Sequence, residues 1–158
     1  MSVTRPPGEV VPDGDGVVLR FDRVLPAPVA WAWGALADSE RCGLWYGTWA
    51  GDPSTGRVLV TPTAEEGAPT EEVAVEECAR PHRLVVAFGA PGTPVWRVAL
   101  DLRDAGATTA LRLTQRFASA QDAAAAAPGW HFYLDRMASV VSGERVTQRW
   151  EDYAGLAP

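Results

Sequence analysis

Residues 25–47 read LPAPVAWAWGALADSERCGLWYG, and this stretch predicts two short helices in succession. Pro28 can open a helix because its φ is fixed near a helical value, and apolar residues recur at helical spacing over 29–37. Asp38 supplies a side-chain oxygen and a negative charge, both of which favour the start of a second helix over about 39–44. The stretch therefore places a pair of helices early in the chain.

Strand-like segments flank this helix pair on both sides. Before it, residues 16–24 alternate apolar and charged side chains, which is the period of a half-buried strand. After it, short turns containing Gly or Pro separate six further candidate strands, at 48–51, 57–62, 71–78, 83–88, 94–103 and 108–117. Short turns join antiparallel neighbours, because a parallel pair needs a long crossover. The pattern predicts an antiparallel meander.

The predicted sheet has one apolar face and one charged face. In the last two strands the inward series consists of Trp96, Val98, Leu100, Leu102, Leu111 and Leu113. Arg97 and Arg112 have the opposite parity and face water. Gln115 is a polar residue in the inward series.

The C-terminal third predicts a long amphipathic helix. An alanine run at 123–127 has high helix propensity, and we expect Pro128 and Gly129 to interrupt it. Beyond the interruption apolar residues recur at helical spacing, at Trp130, Leu134, Met137 and Val141. This stripe must lie on the sheet, which predicts a two-layer α+β domain of six to seven strands. A strongly twisted sheet curls, and a single helix across its concave face leaves room for a ligand cavity.

Three parts of the chain are expected: a flexible arm at 1–15, one domain over 16–153 and a tail at 154–158. Residues 150–153 follow a polar stretch and form either a docked or a frayed segment. The first residues lack the apolar stretch of a secretory signal, and no run approaches the roughly eighteen apolar residues of a membrane span. We therefore expect a cytoplasmic protein.

Composition and charge narrow the classes of partner. The chain has 158 residues, a formal net charge of −6 and seven Trp. An acidic protein is a poor partner for nucleic acid or for an anionic membrane, so we expect neither. All basic residues are Arg, which excludes Schiff-base and P-loop lysine chemistry. The Trp excess indicates an aromatic core or a lined cavity.

The reactive residue types show no catalytic or metal-binding pattern. Cys42 and Cys78 are isolated, and His82 and His131 lack metal-ligand spacing, so we expect no metal, no cofactor and no disulfide framework. No nucleophile and base stand together, so no catalytic residue is predicted. Cys42 is either a core residue or a residue of a pocket entrance, and His131 faces either a cavity mouth or solvent.

The stretch that predicts the helix pair resembles the opening of the START-like, or Bet v 1-like, helix-grip superfamily (SRPBCC), at residues 25–41 and 44–47. The resemblance is to its bacterial branch named after the activator of the Hsp90 ATPase. The matching residues are Trp33, Ala35, Leu36, Asp38, Glu40, Trp45, Tyr46 and Gly47, with Ser39 in place of the usual Pro. Residues 81–85, 109–115 and 129–137 resemble later motifs of that branch, so the resemblance covers about 16–142.

The resemblance implies a curved antiparallel sheet wrapped on the long C-terminal helix, with two short helices after the first strand and an internal cavity. It implies a ligand-binding wall made of Trp33, Trp45, Tyr46, Phe88, Trp96, Val98, Leu113, Gln115, Trp130, His131, Leu134 and Met137. Trp33 and Trp96 are expected in the inner wall, and Trp45 and Trp130 near the entrance. Gln115 stands where the branch often has His, which removes an acid–base group.

Three functions are compatible with these expectations. The leading one is a binding protein that holds a small hydrophobic or aromatic ligand without chemistry. One alternative is an interaction protein of the Hsp90 co-chaperone type. Another is a cyclase- or hydrolase-like enzyme acting in the same cavity. A homodimer through the sheet face or an edge strand is a further alternative.

Overall fold

One antiparallel sheet and three α-helices make up the described part of the chain. The computed structural model describes residues 7–89, 95–156 and 158. Within them the strands are β1 (Glu9–Asp13), β2 (Gly16–Leu25), β3 (Gly47–Ala50), β4 (Arg57–Pro62), β5 (Glu71–Ala79), β6 (Arg83–Phe88), β7 (Trp96–Ala105) and β8 (Thr108–Phe117). The helices are α1 (Val29–Ala37), α2 (Ser39–Gly43) and α3 (Ala120–Ser142). The α+β helix-grip architecture expected from the sequence is confirmed.

The strand order explains where the two short helices lie. Across the sheet the strands follow the order β1-β2-β8-β7-β6-β5-β4-β3, and each neighbouring pair is antiparallel. The chain leaves β2 near one edge and re-enters the sheet at β3, which is the opposite edge. The connection α1–α2 must therefore cross a whole face of the sheet. It shares this face with α3, since α1 packs on β7, β8 and α3, and α3 packs on β2 and β8.

Side-chain caps define the helix starts that the sequence indicated. The Asp38 Oδ1 accepts the backbone N–H of Glu40 at 2.9 Å, which begins α2. The Ser119 Oγ accepts the N–H of Asp122 at 3.1 Å, which begins α3. The left-handed conformation that ends α3 is adopted by Gly143, with φ of 76°.

The expected interruption at Pro128 is wrong, because α3 runs unbroken through it. A proline inside a helix removes one N–H and crowds the preceding turn, at a cost of about 3 kcal/mol. Here Ala127 and Pro128 are both buried, and the contacts of this helix face with the rest of the fold offset that cost. Tertiary packing thus overrides the local preference.

An additional edge strand, β1, forms where a flexible arm was expected. Residues 9–13 pair with β2 in the register Glu9↔Arg20, and the Arg20 guanidinium donates to the Glu9 carboxylate at 2.8 Å. This corrects the arm for those residues and raises the count of described strands from the expected six or seven to eight. Pro12 lies in this strand, and an edge strand tolerates it because one side of the strand needs no partner.

The outer face of the sheet carries a network of ion pairs. Arg112 Nε lies 2.7 Å from an Asp22 carboxylate oxygen, and Arg83 Nη1 lies 2.7 Å from Asp101. Arg97 pairs with a Glu76 carboxylate on the same face, as its predicted outward parity requires. Each of these pairs is partly exposed and adds little to stability. The network makes this face polar and leaves apolar packing to the inner one.

The inner face is filled most tightly beneath β2 and β8. Leu19, Leu113, Leu134 and Met137 are buried there without measurable exposure or nearly so. No helix in the described ranges has both the length and the apolarity needed to cross a bilayer.

Candidate functional site

An apolar cavity of about 130 Å³ lies at the other half of the inner face, beneath β3 to β7. The sheet side of its wall is aliphatic and consists of Val58, Val60, Val73, Val75, Leu84, Val86, Val98 and Leu100. The helix side is formed by Trp33, Leu36 and Ala37 of α1, by Cys42 of α2 and by Trp130 of α3. We call this space the inner cavity.

Strand parity places the aliphatic wall. Val58 pairs with Val73 between β4 and β5, and Val75 pairs with Val86 between β5 and β6, so these four side chains share one face. Alternating valines suit this position because β-branched side chains pack well on a pleated surface.

A β-bulge at Glu76 changes the parity of β5 and brings Cys78 to the cavity. The register shifts between Val75 and Glu77, so one extra residue lies on β5 at this point. Glu76 and Glu77 then both face outward, where they pair with Arg97 and Arg83. Without the bulge Cys78 would share the outer face with Glu76. With it, Cys78 lies in the cavity wall.

Two of the four Trp residues in the wall use their indole N–H to cap α1. Trp45 Nε1 donates to the carbonyl of Ala35 at 2.8 Å, and Trp49 Nε1 donates to that of Leu36 at 3.1 Å. These carbonyls belong to the last turn of α1, where no intrahelical N–H is available. The indoles therefore fix the helix end and close one side of the cavity at the same time.

The other two Trp residues differ in whether their donor is satisfied. Trp130 Nε1 donates to the Gln115 Oε1 at 2.7 Å, and both side chains are buried. Trp33 is 6% exposed, and its indole N–H has no hydrogen-bond partner among the described residues. A buried donor without an acceptor costs about 1–3 kcal/mol. Among the four indoles of the wall, Trp33 is therefore the one whose donor is unsatisfied by the described residues.

Three aromatic side chains separate the inner cavity from a second, more open groove. Tyr46, Phe88 and Trp130 line both spaces, and we call them the aromatic partition. The Tyr46 ring stacks on Trp130 with centroids 6.3 Å apart and an interplanar angle of 12°. Its centroid lies 6.1 Å from that of Phe88 and 4.9 Å from that of Tyr133. Offset and edge contacts of this kind hold the partition together.

The outer groove has an acidic lining. Glu65 and Glu71 line it, and the Tyr133 hydroxyl donates to the Glu65 carboxylate at 3.1 Å. Burial raises the pKa of Tyr46 above its ordinary value, and the Glu71 and Glu65 carboxylates raise it further. Burial, with Glu65, likewise raises the pKa of Tyr133. Both phenols stay protonated and neutral at neutral pH.

At the opposite end the wall of the inner cavity includes exposed residues. Cys78 and Arg80, at and just after the end of β5, line the cavity and are also exposed, so the cavity adjoins the surface there. We call this end the Arg80 rim. Cys42 lies deeper and is 9% exposed, and burial raises the pKa of its thiol to about 11. The Cys42 thiol is therefore neutral and unreactive at pH 7.

Half of the predicted wall residues lie in the inner cavity. These are Trp33, Trp45, Tyr46, Phe88, Val98 and Trp130. Trp45 is buried rather than placed at an entrance, whereas Trp130 stands at the boundary between the two spaces. Whether these residues bind a ligand stays a prediction.

The other half lie elsewhere, which corrects their expected place. Leu113, Leu134 and Met137 are packed in the filled core between β8 and α3. Gln115 is also buried there, with its oxygen used by Trp130. Trp96 shares the parity of Val98, but it lies at the start of β7, beyond the partition. It is 44% exposed, lines the outer groove and makes an edge contact with Phe117.

His131 faces neither a cavity mouth nor solvent. It is 1% exposed, and its ring meets the Tyr153 ring edge-on at 5.0 Å. Its Nε2 lies 3.7 Å from Asp135 Oδ2, which also accepts the Tyr153 hydroxyl at 2.7 Å. Arg23 Nε lies 3.9 Å from the other Asp135 oxygen. We call Arg23, His131, Asp135 and Tyr153 the buried polar cluster. The segment at 150–153 is docked through it.

Several wall residues were missed from the sequence. The valines of β4 and β5 alternate, so their parity was a usable signal. Cys78 and Arg80 carried no such signal, because the bulge reverses the parity just before them. In the described ranges no three His, Cys, Asp or Glu side chains cluster as metal ligands would.

Comparison with known proteins agrees with this architecture. A family model described as activator of Hsp90 ATPase homolog 1-like protein matches residues 26–142. A search of the curated proteins found no match.

Solved structures share the fold. The crystal structure of CalU16 from Micromonospora echinospora is 24% identical, with a TM-score of 0.68, and the match covers 82% of this chain and 76% of that one. DynU16, a protein of the dynemicin biosynthetic locus, is 22% identical with a TM-score of 0.71; the match covers 87% of this chain and 51% of DynU16. BPP1335 from Bordetella parapertussis is 22% identical with a TM-score of 0.70, over 96% and 91% of the two chains. At these identities the likeness concerns the fold.

Proposed function

Because the chain belongs to the family of activator of Hsp90 ATPase homolog 1-like proteins, we propose that it binds a small hydrophobic or aromatic molecule in the inner cavity. The observation that carries the proposal is the inner cavity itself, whose wall is aliphatic on the sheet side and aromatic on the helix side. Ligand pockets of this composition hold apolar molecules and orient them with few polar groups.

The size of the inner cavity indicates the size of the ligand. An engineered apolar cavity of about 150 Å³ in another protein stays dry and binds benzene. The inner cavity measures about 130 Å³. A molecule with one ring therefore fits the space as it stands, and a larger one would need the aromatic partition to move.

An empty cavity of this size has a cost that a ligand removes. Cavities left in protein cores destabilise by about 24 cal/mol per Å³, so a space of this volume costs at most about 3 kcal/mol where it is closed to solvent. Filling it restores the dispersion contacts that the wall lacks. Binding of an apolar molecule should consequently raise the melting temperature.

The first test is a titration with toluene, followed by intrinsic Trp fluorescence and by thermal unfolding. We expect altered emission and a higher Tm in the unmodified protein. Val86→Phe places a larger ring in the cavity wall and should weaken toluene binding at least tenfold. Ala87→Phe, on the outer face of the same strand, is the matched control and should leave binding unchanged. If neither the Trp emission nor the Tm changes with toluene and related one-ring compounds, the proposed binding function is wrong.

The second test uses the cysteine at the Arg80 rim. Cys78 is exposed, whereas Cys42 is buried with a raised pKa. Iodoacetamide should therefore alkylate Cys78 alone, and bound toluene should slow that reaction. Cys78→Ala should abolish labelling and serves as the control. Unchanged labelling at a saturating toluene concentration would show that the ligand does not occupy the inner cavity.

A second candidate function is an interaction with a chaperone of the Hsp90 type, and the description of the family favours it. Titration of the chain into an Hsp90 ATPase assay tests this directly, and unchanged turnover would remove it. An enzymatic role would need a polar cluster inside the cavity. The two candidates for such a cluster, Gln115 and His131, lie outside its described wall.

A further inference from the structure

We propose that the ligand of the inner cavity is a monoanion with a small apolar body, such as an aromatic carboxylate, whose acidic group binds Arg80. The inference rests on the proposed function and specifies the chemical class of its ligand. Three features of the wall support it: the polar groups that it offers, the unpaired state of Arg80, and the separation of charge between the two ends of the site.

Apart from the Tyr46 hydroxyl, which can donate or accept, the polar side-chain groups of the described wall are chiefly hydrogen-bond donors. The Arg80 side chain lies at the rim, the Trp33 indole N–H has no partner among the described residues, and the Cys42 thiol is protonated. No Asp or Glu is among the described residues of the wall. These donors favour a ligand that presents acceptor oxygens, and the cation at the rim favours a negatively charged group.

Arg80 differs from the other arginines of this sheet region. Arg57, Arg83 and Arg97 each pair with a carboxylate on the outer face. In the described ranges no carboxylate oxygen lies within 4.0 Å of the Arg80 guanidinium, and no acceptor forms a hydrogen bond with its side chain. Its charge is thus available to a bound anion, and its planar donor group suits a carboxylate.

The two ends of the site have opposite charge. Arg80 lies at one end of the inner cavity, while Glu65 and Glu71 lie in the outer groove beyond the aromatic partition. An anion is attracted to the first end and repelled from the second. This polarity orients the ligand with its acidic group at the Arg80 rim and its apolar body against the valines and indoles.

The test compares two probes of similar shape, benzoate and the uncharged nitrobenzene, by NMR titration at pH 7. Arg80→Gln should weaken benzoate binding about fivefold and change nitrobenzene binding less than twofold. Arg103→Gln removes an exposed arginine of β7 that is not in the described wall, and it should change neither affinity by as much as twofold. The effect of Arg80→Gln should shrink as salt is raised, because screening weakens an exposed ion pair.

The outcomes separate this inference from the proposed function. If nitrobenzene binds and benzoate does not, or if Arg80→Gln weakens both probes equally, the anionic class is wrong and the apolar binding function stands. An equal loss of benzoate binding in Arg103→Gln would also overturn it, since a general charge effect would then suffice. If neither probe binds the unmodified protein, the proposed function fails and the inference with it.

Discussion

The two halves of the protein interior differ in how completely side chains fill the space between the sheet and the helices. Beneath β2 and β8 the space between sheet and α3 is filled, and Leu134 and Met137 have no measurable exposure. Beneath β3 to β7 the same sheet faces the inner cavity of about 130 Å³. One long helix and one sheet therefore enclose both a solid core and an empty space.

Charge is distributed just as unevenly. The filled half contains the buried polar cluster, in which Asp135 is within reach of Tyr153, His131 and Arg23. The described wall of the inner cavity holds a single charged residue, Arg80, and that residue is at the surface. The difference shows that buried charge is tolerated where several partners meet it. An apolar cavity leaves a charged group at its margin, where water can solvate it.

The largest effect is expected in the filled half, from Asp135→Asn. The substitution keeps the shape of the side chain but removes the buried carboxylate that Arg23 and His131 face, which should lower the unfolding free energy by about 3 kcal/mol. Urea denaturation followed by circular dichroism measures this. Glu144→Gln removes an exposed carboxylate just beyond α3 and should be neutral. Equal stability of the two variants would mean that the cluster contributes nothing as an ionic unit.

The same substitution in both halves tests whether one is full and the other empty. Leu134→Phe forces extra volume into a filled core and should cost about 1–3 kcal/mol. Leu84→Phe adds that volume to the cavity wall and should change stability by less than about 0.5 kcal/mol while it weakens toluene binding. Thermal and urea unfolding give both values. A comparable loss of stability in the two variants would contradict the contrast.

A smaller effect is expected from removing one hydroxyl at each half. Tyr153→Phe deletes the hydrogen bond to buried Asp135 and should cost about 1–2 kcal/mol, because hydrogen bonds to charged groups are the stronger ones. Tyr133→Phe deletes an exposed hydrogen bond to Glu65 at the outer groove and should cost less than about 0.5 kcal/mol. Chemical denaturation of the two variants measures both losses of unfolding free energy. A larger loss in Tyr133→Phe than in Tyr153→Phe would refute the role of the buried polar cluster in docking the C-terminal segment.

The smallest effect on stability is expected on the outer face of the sheet. This face covers both halves of the interior, so it provides a reference for the variants in either half. The Arg112 guanidinium holds the pKa of Asp22 below its ordinary value of 3.8. A lowered pKa means that the ion pair stabilises the fold above pH 3.8 and that this contribution is lost as the pH falls through the lower, folded-state pKa. The pair is half exposed, so Asp22→Asn should cost less than about 1 kcal/mol at pH 7. The difference from the unmodified protein should vanish in acid, and a difference that persists at pH 2 would contradict an electrostatic origin.

Much of the fold could be predicted from the sequence because the relevant signals are local. The helix expected at 29–37 is α1 with the same bounds, and the one expected at 39–44 is α2 at Ser39–Gly43. Proline and capping signals act within one helical turn, so they survive in any tertiary context. Strand β1 was missed because its Pro12 and neighbouring Gly and Asp residues are turn signals, and only pairing with β2 makes them a strand.

The site was predicted less well, for geometric reasons. His131 follows Trp130 directly, and one residue along a helix turns the side chain by about 100°. That rotation takes His131 away from the cavity and towards Asp135 and Tyr153. Trp96 has the inward parity that the alternation predicted, yet it lies beyond the aromatic partition. Parity indicates a face of the sheet, whereas the position along the strand decides which space that face borders.

The sequence by itself determined the antiparallel α+β architecture, the helix pair after the first long strand and the apolar face of the sheet, since each follows from periodicities of two or 3.6 residues. Only the tertiary structure decided that the filled core and the inner cavity divide the interior. The volume of a cavity is the volume enclosed between the sheet and the helices minus the volume of the side chains that fill it. No local sequence pattern encodes that difference. The same holds for the bulge that brings Cys78 inward and for the cluster that joins Arg23 to Tyr153, because both depend on partners far away in the chain.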